Sequence, residues 1–179
     1  VKQIIGLDVA IRSEESAIPE KLVLLCKNND GFKFLNHVLT RAYTSPRTSH
    51  ILTIDLDWLK GVGTNVIALS GGIDGALGRA LISGQEELGQ VVLDEYRQIF
   101  GDQYYIDVHR VGLPREEEYF QRALHLGAQH SVPVLATNAV QFYDESEFDA
   151  HDVRVCINEG RVLNDPRRVQ RFTKNQYLR

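Results

Sequence analysis

Residues Asn65–Gly75 read NVIALSGGIDG and carry the clearest fold signal in the chain. A short run of β-branched and aliphatic residues ends at Ser70-Gly71-Gly72, and a helical pattern begins at Gly75. A buried strand that turns at glycines into a helix is the repeating unit of α/β proteins. Backbone N–H groups at such a turn also favour an anion. The stretch therefore predicts a strand–turn–helix unit and marks one place where a ligand could bind.

The same alternation continues on both sides of this stretch, with a loop at Ser45–His50. The pattern predicts five strands, at Gln3–Val9, Lys21–Cys26, Asn65–Ser70, Tyr104–His109 and Val132–Thr137. It predicts helices at Asp30–Tyr43, Asp57–Lys60, Gly75–Ile82, Glu86–Phe100, Arg115–His130 and Ser146–Glu159. In the fourth helix one face is expected to carry Leu88, Val92, Tyr96 and Ile99, with Val91 beside them. Strand–helix alternation favours a largely parallel sheet or barrel formed by residues 1–179 as a single domain.

Composition excludes several classes of protein. The 179 residues carry 24 acidic and 20 basic side chains, a net charge of −4, whereas a groove for nucleic acid needs a basic excess. No apolar run approaches the roughly 20 residues of a membrane span. Cys26 and Cys156 sit in apolar runs and are expected to be buried free thiols. These features predict a soluble intracellular protein. The chain starts inside a strand-like run and contains no methionine, so we expect a piece of a longer protein.

The glycine-rich turn Ser70–Gly75 is similar to the SGGxDS signature of ATP-pyrophosphatase (PP-loop) enzymes. Gly75 departs from that signature, because a serine stands there in those enzymes. A tight strand-to-helix turn that requires glycine conformations explains the same residues, and we favour it.

Two further groups could serve a site at the carboxyl ends of the strands. Asp107 and His109 are two apart and would point to one face of a strand, where we interpret them as a surface pair. Asp149 and Asp152 flank His151 on a predicted helix. They are interpreted as charges that stabilise the helix N-terminus, with Ser146 as the N-cap.

The residues that follow the last predicted strand are polar. Thr137 and Asn138 are expected to hold loops through hydrogen bonds from their side chains to backbone groups. No nucleophile with an adjacent base is recognisable there.

Taken in order, these motifs resemble the PHP (polymerase and histidinol phosphatase) domain of the alpha subunit of bacterial DNA polymerase III. The landmarks are Ile4–Asp8, Leu24–Phe32, Arg41–Tyr43, Ile67–Gly72, Gly84, Tyr96, Phe100–Asp102, Gly112–Pro114, Pro133–Val140, Phe148–Val153 and Leu163–Pro166. The resemblance implies a distorted seven-stranded β/α barrel. It also implies that the chain starts near the third strand of that barrel. The family's first two strands, which carry histidine and Asp-His ligand motifs, are then expected to be absent.

The resemblance implies a lost metal centre. Asp8 replaces the usual glutamate, and the expected cysteine, histidine, aspartate and histidine are here Gly72, Val111, Ala139 and Gln141. Gly, Val and Ala supply no side-chain donor, and a neutral glutamine is a weak one. We therefore predict no catalytic residues, no bound metal and no cofactor in this chain. His109 does not restore the site, because it lies two residues from the lost histidine.

The implied function is a non-catalytic scaffold module in DNA replication. Its partners would be the remainder of the polymerase subunit and the proofreading exonuclease subunit, in the bacterial cytoplasm, with DNA contacted only through the rest of the subunit. The nucleotidyltransferase activity would belong to that remainder. Leu52–Lys60, with Trp58, and Tyr104–His109 are candidate docking segments. The alternatives are an active metal-dependent PHP phosphoesterase or exonuclease and a PP-loop enzyme that uses ATP.

Overall fold

A computed structural model describes residues 3–13, 18–46 and 51–178. Residues 47–50 of the predicted loop, including His50, lie outside the described ranges. The strands are β1 (Gly6–Ile11), β2 (Glu20–Cys26), β3 (Thr53–Ile54), β4 (Val66–Leu69), β5 (Tyr104–Val108) and β6 (Val134–Ala136). The α-helices are α1 (Asn29–Thr44), α2 (Ala76–Ile82), α3 (Glu86–Phe100), α4 (Glu116–His130) and α5 (Phe148–Glu159).

The six strands form one mixed sheet in the order β3-β1-β2-β4-β5-β6. β2 runs antiparallel to both of its neighbours, β1 and β4. β4, β5 and β6 are mutually parallel, and β3 is parallel to β1. Within the described ranges the sheet is open, with β3 and β6 at its edges. Three of the five strand pairings are therefore parallel, as expected, and the two antiparallel ones both involve β2.

The core lies between one face of this sheet and the helices. Alternate residues of the first two strands, Val9, Ile11, Leu22 and Leu24, are buried against it. This alternation is what a strand with one covered face requires. On the same core, the rings of Tyr96 and Tyr104 lie 5.3 Å apart, which joins α3 to β5. The core therefore holds the helices on the sheet, whereas the groups at the strand ends are positioned by the loops.

Two local predictions were wrong. A third, the inner face of α3, is correct for Tyr96, which is buried, and in part for Val92 and Ile99, which pack against the core. β3 was not predicted, because a two-residue strand carries no detectable periodicity. The predicted helix Asp57–Lys60 is a 3₁₀ turn at Leu56–Leu59. On α3 the buried face consists of Gly89, Leu93, Tyr96 and Phe100, while Val91 is 62% exposed. The periodicity identified the helix but placed its inner face about one residue away.

The last described residues, Thr173–Leu178, form what we call the C-terminal strap. Tyr177 pairs with Phe142 in an isolated parallel bridge, and Leu178 N–H donates to the Phe142 carbonyl at 3.1 Å. Gln176 is buried, at 2% exposure, although its side chain is polar. The strap therefore lies against the segment that follows β6. None of the helices in the described ranges combines the length and the apolar character needed to cross a bilayer.

Candidate functional site

The parallel strands β4, β5 and β6 end at one edge of the sheet, and their following residues meet there. We call this region the strand-end site; it comprises Ser70–Gly72, Asp107–Val111, Glu116 and Thr137–Gln141. In α/β folds this edge is where ligands bind. Four of the five vestigial ligand positions, all except Asp8, fall within it.

Asp107 is the anchor of the strand-end site. Its carboxylate accepts hydrogen bonds from the Ser70 hydroxyl at 2.9 Å and from the Gly72 N–H at 3.0 Å. The Tyr119 hydroxyl donates to the Asp107 carbonyl at 2.8 Å, and burial raises the pKa of that phenol far above its usual range. Tyr119 is therefore a neutral donor. Asp107 is only 6% exposed, and its bonds hold the glycine turn against the end of β5.

His109 fills the space beside Gly72. A Cβ atom added at Gly72 would lie 2.8 Å from Cε1 of His109 and 3.8 Å from a carboxylate oxygen of Asp107. The side chain of His109 is 12% exposed, and its Nε2 lies 3.5 Å from Oε1 of Glu116. The imidazole therefore occupies the room that a cysteine at position 72 would need. The interpretation of Asp107 and His109 as a surface pair is wrong, because both are held inside the site.

Glu116 is the first residue of α4, and its side chain binds the backbone of the loop that precedes this helix. Its Oε2 accepts hydrogen bonds from the N–H groups of Val111, Gly112 and Leu113 at 2.8, 2.7 and 3.2 Å. Its Oε1 is buried and accepts no hydrogen bond from any described residue; the neighbouring group there is His109. A carboxylate that binds three N–H groups is a strong local anchor. Glu116 thus fixes the backbone at the vestigial position Val111.

The C-terminal strap covers the remaining vestigial positions. Thr173 Oγ1 and Asn175 Nδ2 both donate to the Val111 carbonyl. Gln176 Nε2 donates to the Ala139 carbonyl at 3.1 Å, and Gln141 N–H donates to the Gln176 carbonyl at 2.7 Å. The strap therefore ties together the loops after β5 and β6 at the backbone of the three positions where the family places ligands.

The residues present do not fit a metal centre. No group of three His, Cys, Asp or Glu side chains within the described ranges could hold a metal ion. Asp8 lies on β1, separated from β4 by β2, and pairs with Lys21 Nζ at 3.1 Å on the exposed side of the sheet. Gln141 is exposed and Val111 is buried at 1% exposure. At the positions where the family pattern places metal ligands, this chain thus has hydrogen bonds to its own backbone groups.

The glycine-rich turn makes its close contacts within the protein itself. The Gly72 N–H donates to Asp107, so the group that would face a phosphate already faces a carboxylate. A Cβ at Gly71 would collide with the Lys21 carbonyl, and Gly71 has φ of +83°. Close approach of β2 and a left-handed backbone explain that glycine without a ligand. The interpretation as a tight turn is therefore the one that the geometry favours.

Several residue predictions at the surface are corrected. Tyr104–His109 is not an exposed docking segment, because Tyr104, Ile106 and Val108 belong to the core. Trp58 is partly buried against that core with the Arg41 guanidinium 4.0 Å above its ring. It is therefore placed as a core anchor, which was the expected alternative to a docking role.

The predictions around α5 have mixed outcomes. Ser146 does not cap α5; it lies in a preceding 3₁₀ turn, where Asp144 accepts its N–H at 2.9 Å. Asp149 is in the first turn of α5, as expected, but Asp152 instead pairs with Arg168. Nε2 of His151 is buried without a hydrogen-bond partner among the described residues.

Two predictions about side chains are confirmed. Asn138 Nδ2 donates to the Tyr177 carbonyl at 2.7 Å, so a polar residue after β6 does hold a loop. Both cysteines are free; Cys156 is buried and Cys26 is partly so.

Sequence reasoning missed Glu116 and Gln176. In the sequence Glu116 is the first of three consecutive acidic residues, Glu116–Glu118, at the start of a predicted helix, where negative charge is generally favourable. The available signal was its position, three residues after Leu113 at the start of a helix, where a carboxylate can reach back to loop N–H groups. Gln176 carries no comparable signal, because its partners Thr173, Ala139 and Gln141 include residues 35 or more positions away.

A mixed, open six-stranded sheet with helices packed against it defines an α/β domain. The family model of the PHP domain matches residues 1–111, and the chain belongs to this family. Over its whole length it is similar to three proteins described as DNA polymerase III subunit alpha. These come from Vibrio cholerae (41% identical), Escherichia coli K12 (36%) and Pseudomonas aeruginosa (34%). The chain spans only 15–16% of the length of these relatives.

Proposed function

We propose that this chain is a non-catalytic PHP module of the alpha subunit of a bacterial replicative DNA polymerase. Its role is to scaffold the subunit in the cytoplasm during DNA replication. Similarity along the whole chain to alpha subunits supports the replication role. On this proposal, nucleotidyl transfer and contact with DNA belong to the remainder of the subunit.

The observation that carries the non-catalytic part is the occupation of the strand-end site by the chain's own groups. His109 fills the space beside Gly72, and the C-terminal strap binds the backbone at Val111, Ala139 and Gln141. A catalytic metal needs several side-chain donors and an open coordination position for substrate. In the strand-end site the carboxylates of Asp107 and Glu116 already accept hydrogen bonds from the chain's own groups, and no three described His, Cys, Asp or Glu side chains are placed to hold an ion.

Metal content and phosphatase turnover, measured together on the complete subunit, test this proposal. The subunit is purified with zinc and manganese present, analysed for bound elements and assayed with a phosphomonoester. We expect substoichiometric metal and no turnover above that of a variant in which His109 is alanine. Stoichiometric metal accompanied by turnover would establish the active phosphoesterase instead.

The finer proposal is that the module docks the separate proofreading exonuclease subunit. A domain without its own hydrolytic centre is compatible with editing by a partner, and this division of labour supports the proposal. A pull-down of the complete subunit with the exonuclease subunit tests it. A subunit that fully retains polymerase activity but does not retain the exonuclease would refute the docking role while leaving the replication role intact.

A further inference from the structure

A groove of about 430 Å³ runs between α3 and α4 and shares no lining residue with the strand-end site. The two helices run in the same direction along it. Glu86, at the start of α3, lines the groove together with Arg122, and Arg97, in the last turn of α3, donates to the His130 carbonyl at 3.3 Å. On α4 the lining extends from Gln121 to His130, which is about 14 Å of helix. The α3–α4 groove is therefore elongated and has the volume of a small-molecule site.

The bottom of the α3–α4 groove is apolar. Leu81 of α2 and Leu126 of α4 are the two buried residues of its lining, at 2% and 6% exposure. The other lining residues are polar and form its rim. A molecule that lies along the groove would therefore have hydrocarbon beneath it and hydrogen-bonding groups on both sides.

The rim carries negative charge that the described chain does not neutralise. Glu86 and Glu87 line the groove, and neither side chain forms an ion pair or a hydrogen bond with a described residue. The cation of the lining, Arg122, is already engaged: it donates to the Leu81 carbonyl and pairs with Glu118 at 3.0 Å. The rim should accordingly attract a cation and repel a phosphate or carboxylate.

Uncharged side chains supply further acceptors along the rim. The amide groups of Gln90 and Gln129 form no hydrogen bond with a described residue, and Gln121 donates its Nε2 to Glu117 at 2.9 Å, which leaves its oxygen to accept. An ammonium group has three N–H donors and no acceptor. A divalent metal ion is not matched, because no three His, Cys, Asp or Glu side chains of the described ranges could hold one. The rim therefore favours an organic ammonium group.

We propose that the α3–α4 groove binds a linear aliphatic polyamine. Its methylene chain lies on Leu81 and Leu126, and its ammonium groups bind Glu86, Glu87 and the glutamine amides of the rim. An elongated groove with two carboxylates near one end and amide oxygens along its length matches a chain with several ammonium groups better than a compact amine. Because the groove is separate from the strand-end site, this inference does not depend on the proposed function.

Photoaffinity labelling of the complete subunit tests the site. The probe is spermidine that carries a diazirine, and the labelled residues are mapped by mass spectrometry. We expect labelling of α3 and α4 beside the groove that excess spermidine suppresses and that a neutral diol of the same length does not. Labelling only elsewhere, or equal suppression by the diol, would overturn the proposal. Equal suppression by magnesium chloride at matched charge concentration would also overturn it, because it would indicate general attraction of cations.

Paired charge variants test the role of the two carboxylates. Glu86→Gln combined with Glu87→Gln should reduce labelling of the groove by about fivefold or more, as expected for the loss of two exposed charge contacts. The matched control, Glu145→Gln combined with Asp149→Asn, removes two exposed carboxylates near the start of α5. Labelling of the groove in this control should stay within about twofold of the wild type. Equal reductions in the two double variants would contradict the site.

A groove-filling variant provides a measurement that leaves the first turn of α3 unchanged. Gln90→Trp places an indole in the groove while both carboxylates remain, and it should reduce labelling by about the same factor. Circular dichroism verifies that each variant is folded. Undiminished labelling of the groove in folded Gln90→Trp would show that the probe binds outside it and would overturn the proposal.

Discussion

Glu116 shows how one side chain can fix the backbone of a loop at the end of a strand. It is 5% exposed and binds three consecutive N–H groups, at Val111, Gly112 and Leu113, from the first turn of α4. Buried N–H groups without acceptors are costly. The carboxylate therefore fixes the backbone conformation of the loop that contains Val111.

Removing this carboxylate should destabilise the fold measurably. Glu116→Ala leaves three N–H groups without their acceptor, and we expect a loss of about 3 kcal/mol in the free energy of unfolding. Glu116→Gln keeps one acceptor oxygen and should cost about 1 kcal/mol. Chemical denaturation followed by tryptophan fluorescence measures both changes. Equal stability of the alanine variant and the wild type would contradict the anchoring role.

Gly72 and His109 should be energetically coupled. Gly72→Cys places a Cβ 2.8 Å from Cε1 of His109 at a φ of +62°, and we expect a loss of about 3 kcal/mol from overlap and strain together. His109→Ala removes the overlap but not the strain, so the added cost of Gly72→Cys in that background should fall to about 1 kcal/mol.

A double-mutant cycle of the two changes gives the coupling directly. The control pair is Gly72→Cys with His125→Ala, because His125 is an exposed histidine on α4. Additive effects for the first pair would show that His109 does not fill the space at Gly72.

His151 should make stability depend on pH. It lies between the rings of Phe142 and Phe172, and burial, with a contribution from Arg154, lowers its pKa below the ordinary 6.5. The unfolded chain then binds the proton more readily, so stability should fall as pH falls below 6.5. His151→Phe should flatten the decrease between pH 7 and 5.5. Thermal unfolding across this range tests it, and parallel profiles for both proteins would exclude His151 as the cause.

At the scale of elements, the C-terminal strap links the loops at the strand-end site through hydrogen bonds. Its hydrogen bonds join the loop after β5, at Val111, to the segment after β6, at Ala139 and Gln141. Gln176 is the central group, because its side chain accepts the Thr173 N–H and donates to Ala139 while its carbonyl accepts from Gln141. The strap is thus a structural part of the strand-end site.

Loss of the Gln176 side chain should loosen the strap selectively. Gln176→Ala removes two hydrogen bonds at a buried position and should increase amide hydrogen exchange at Gln141 and Thr173 by about tenfold, the factor that 1.4 kcal/mol produces. Exchange in β4, which does not touch the strap, should be unchanged. Gln129→Ala, at an exposed position on α4, is the matched control. Uniform exchange across the chain would contradict a local role.

At the scale of the whole molecule, stability comes from a hydrophobic core shared by the sheet and its helices. Leu22, Leu24, Leu93 and Ile106 are completely buried in it. Ions that cross-link loops would add stability through binding. In this molecule the strand-end site is linked by hydrogen bonds instead.

Removal of divalent cations should therefore leave the fold intact. We expect the melting temperature of the module in the complete subunit to change by less than about 1 °C after treatment with a chelator. A fold that binds no metal ion has no free energy of metal binding to lose. Differential scanning calorimetry, with and without added zinc and manganese as the control, measures this. A decrease of several degrees that zinc restores would contradict the metal-free interpretation.

The local structure of this protein could be predicted from its amino-acid sequence. Strand and helix periodicities located β1, β2, β4–β6 and the five α-helices of the described ranges. That Gly72, Val111 and Ala139 carry no side-chain donor is a property of the sequence itself. These properties depend on residue type and on neighbours a few positions away.

The direction of β2, the fully buried residues of α3 and the groups that fill the strand-end site depend on tertiary packing and could not be predicted from local patterns. His109 beside Gly72 and the strap on Val111 are contacts between residues 37 and 62 or more positions apart. Such contacts form only when packing of the core brings distant segments together. They then supply hydrogen-bond partners to buried polar groups that secondary structure leaves without partners. No local pattern specifies which distant residue will do so.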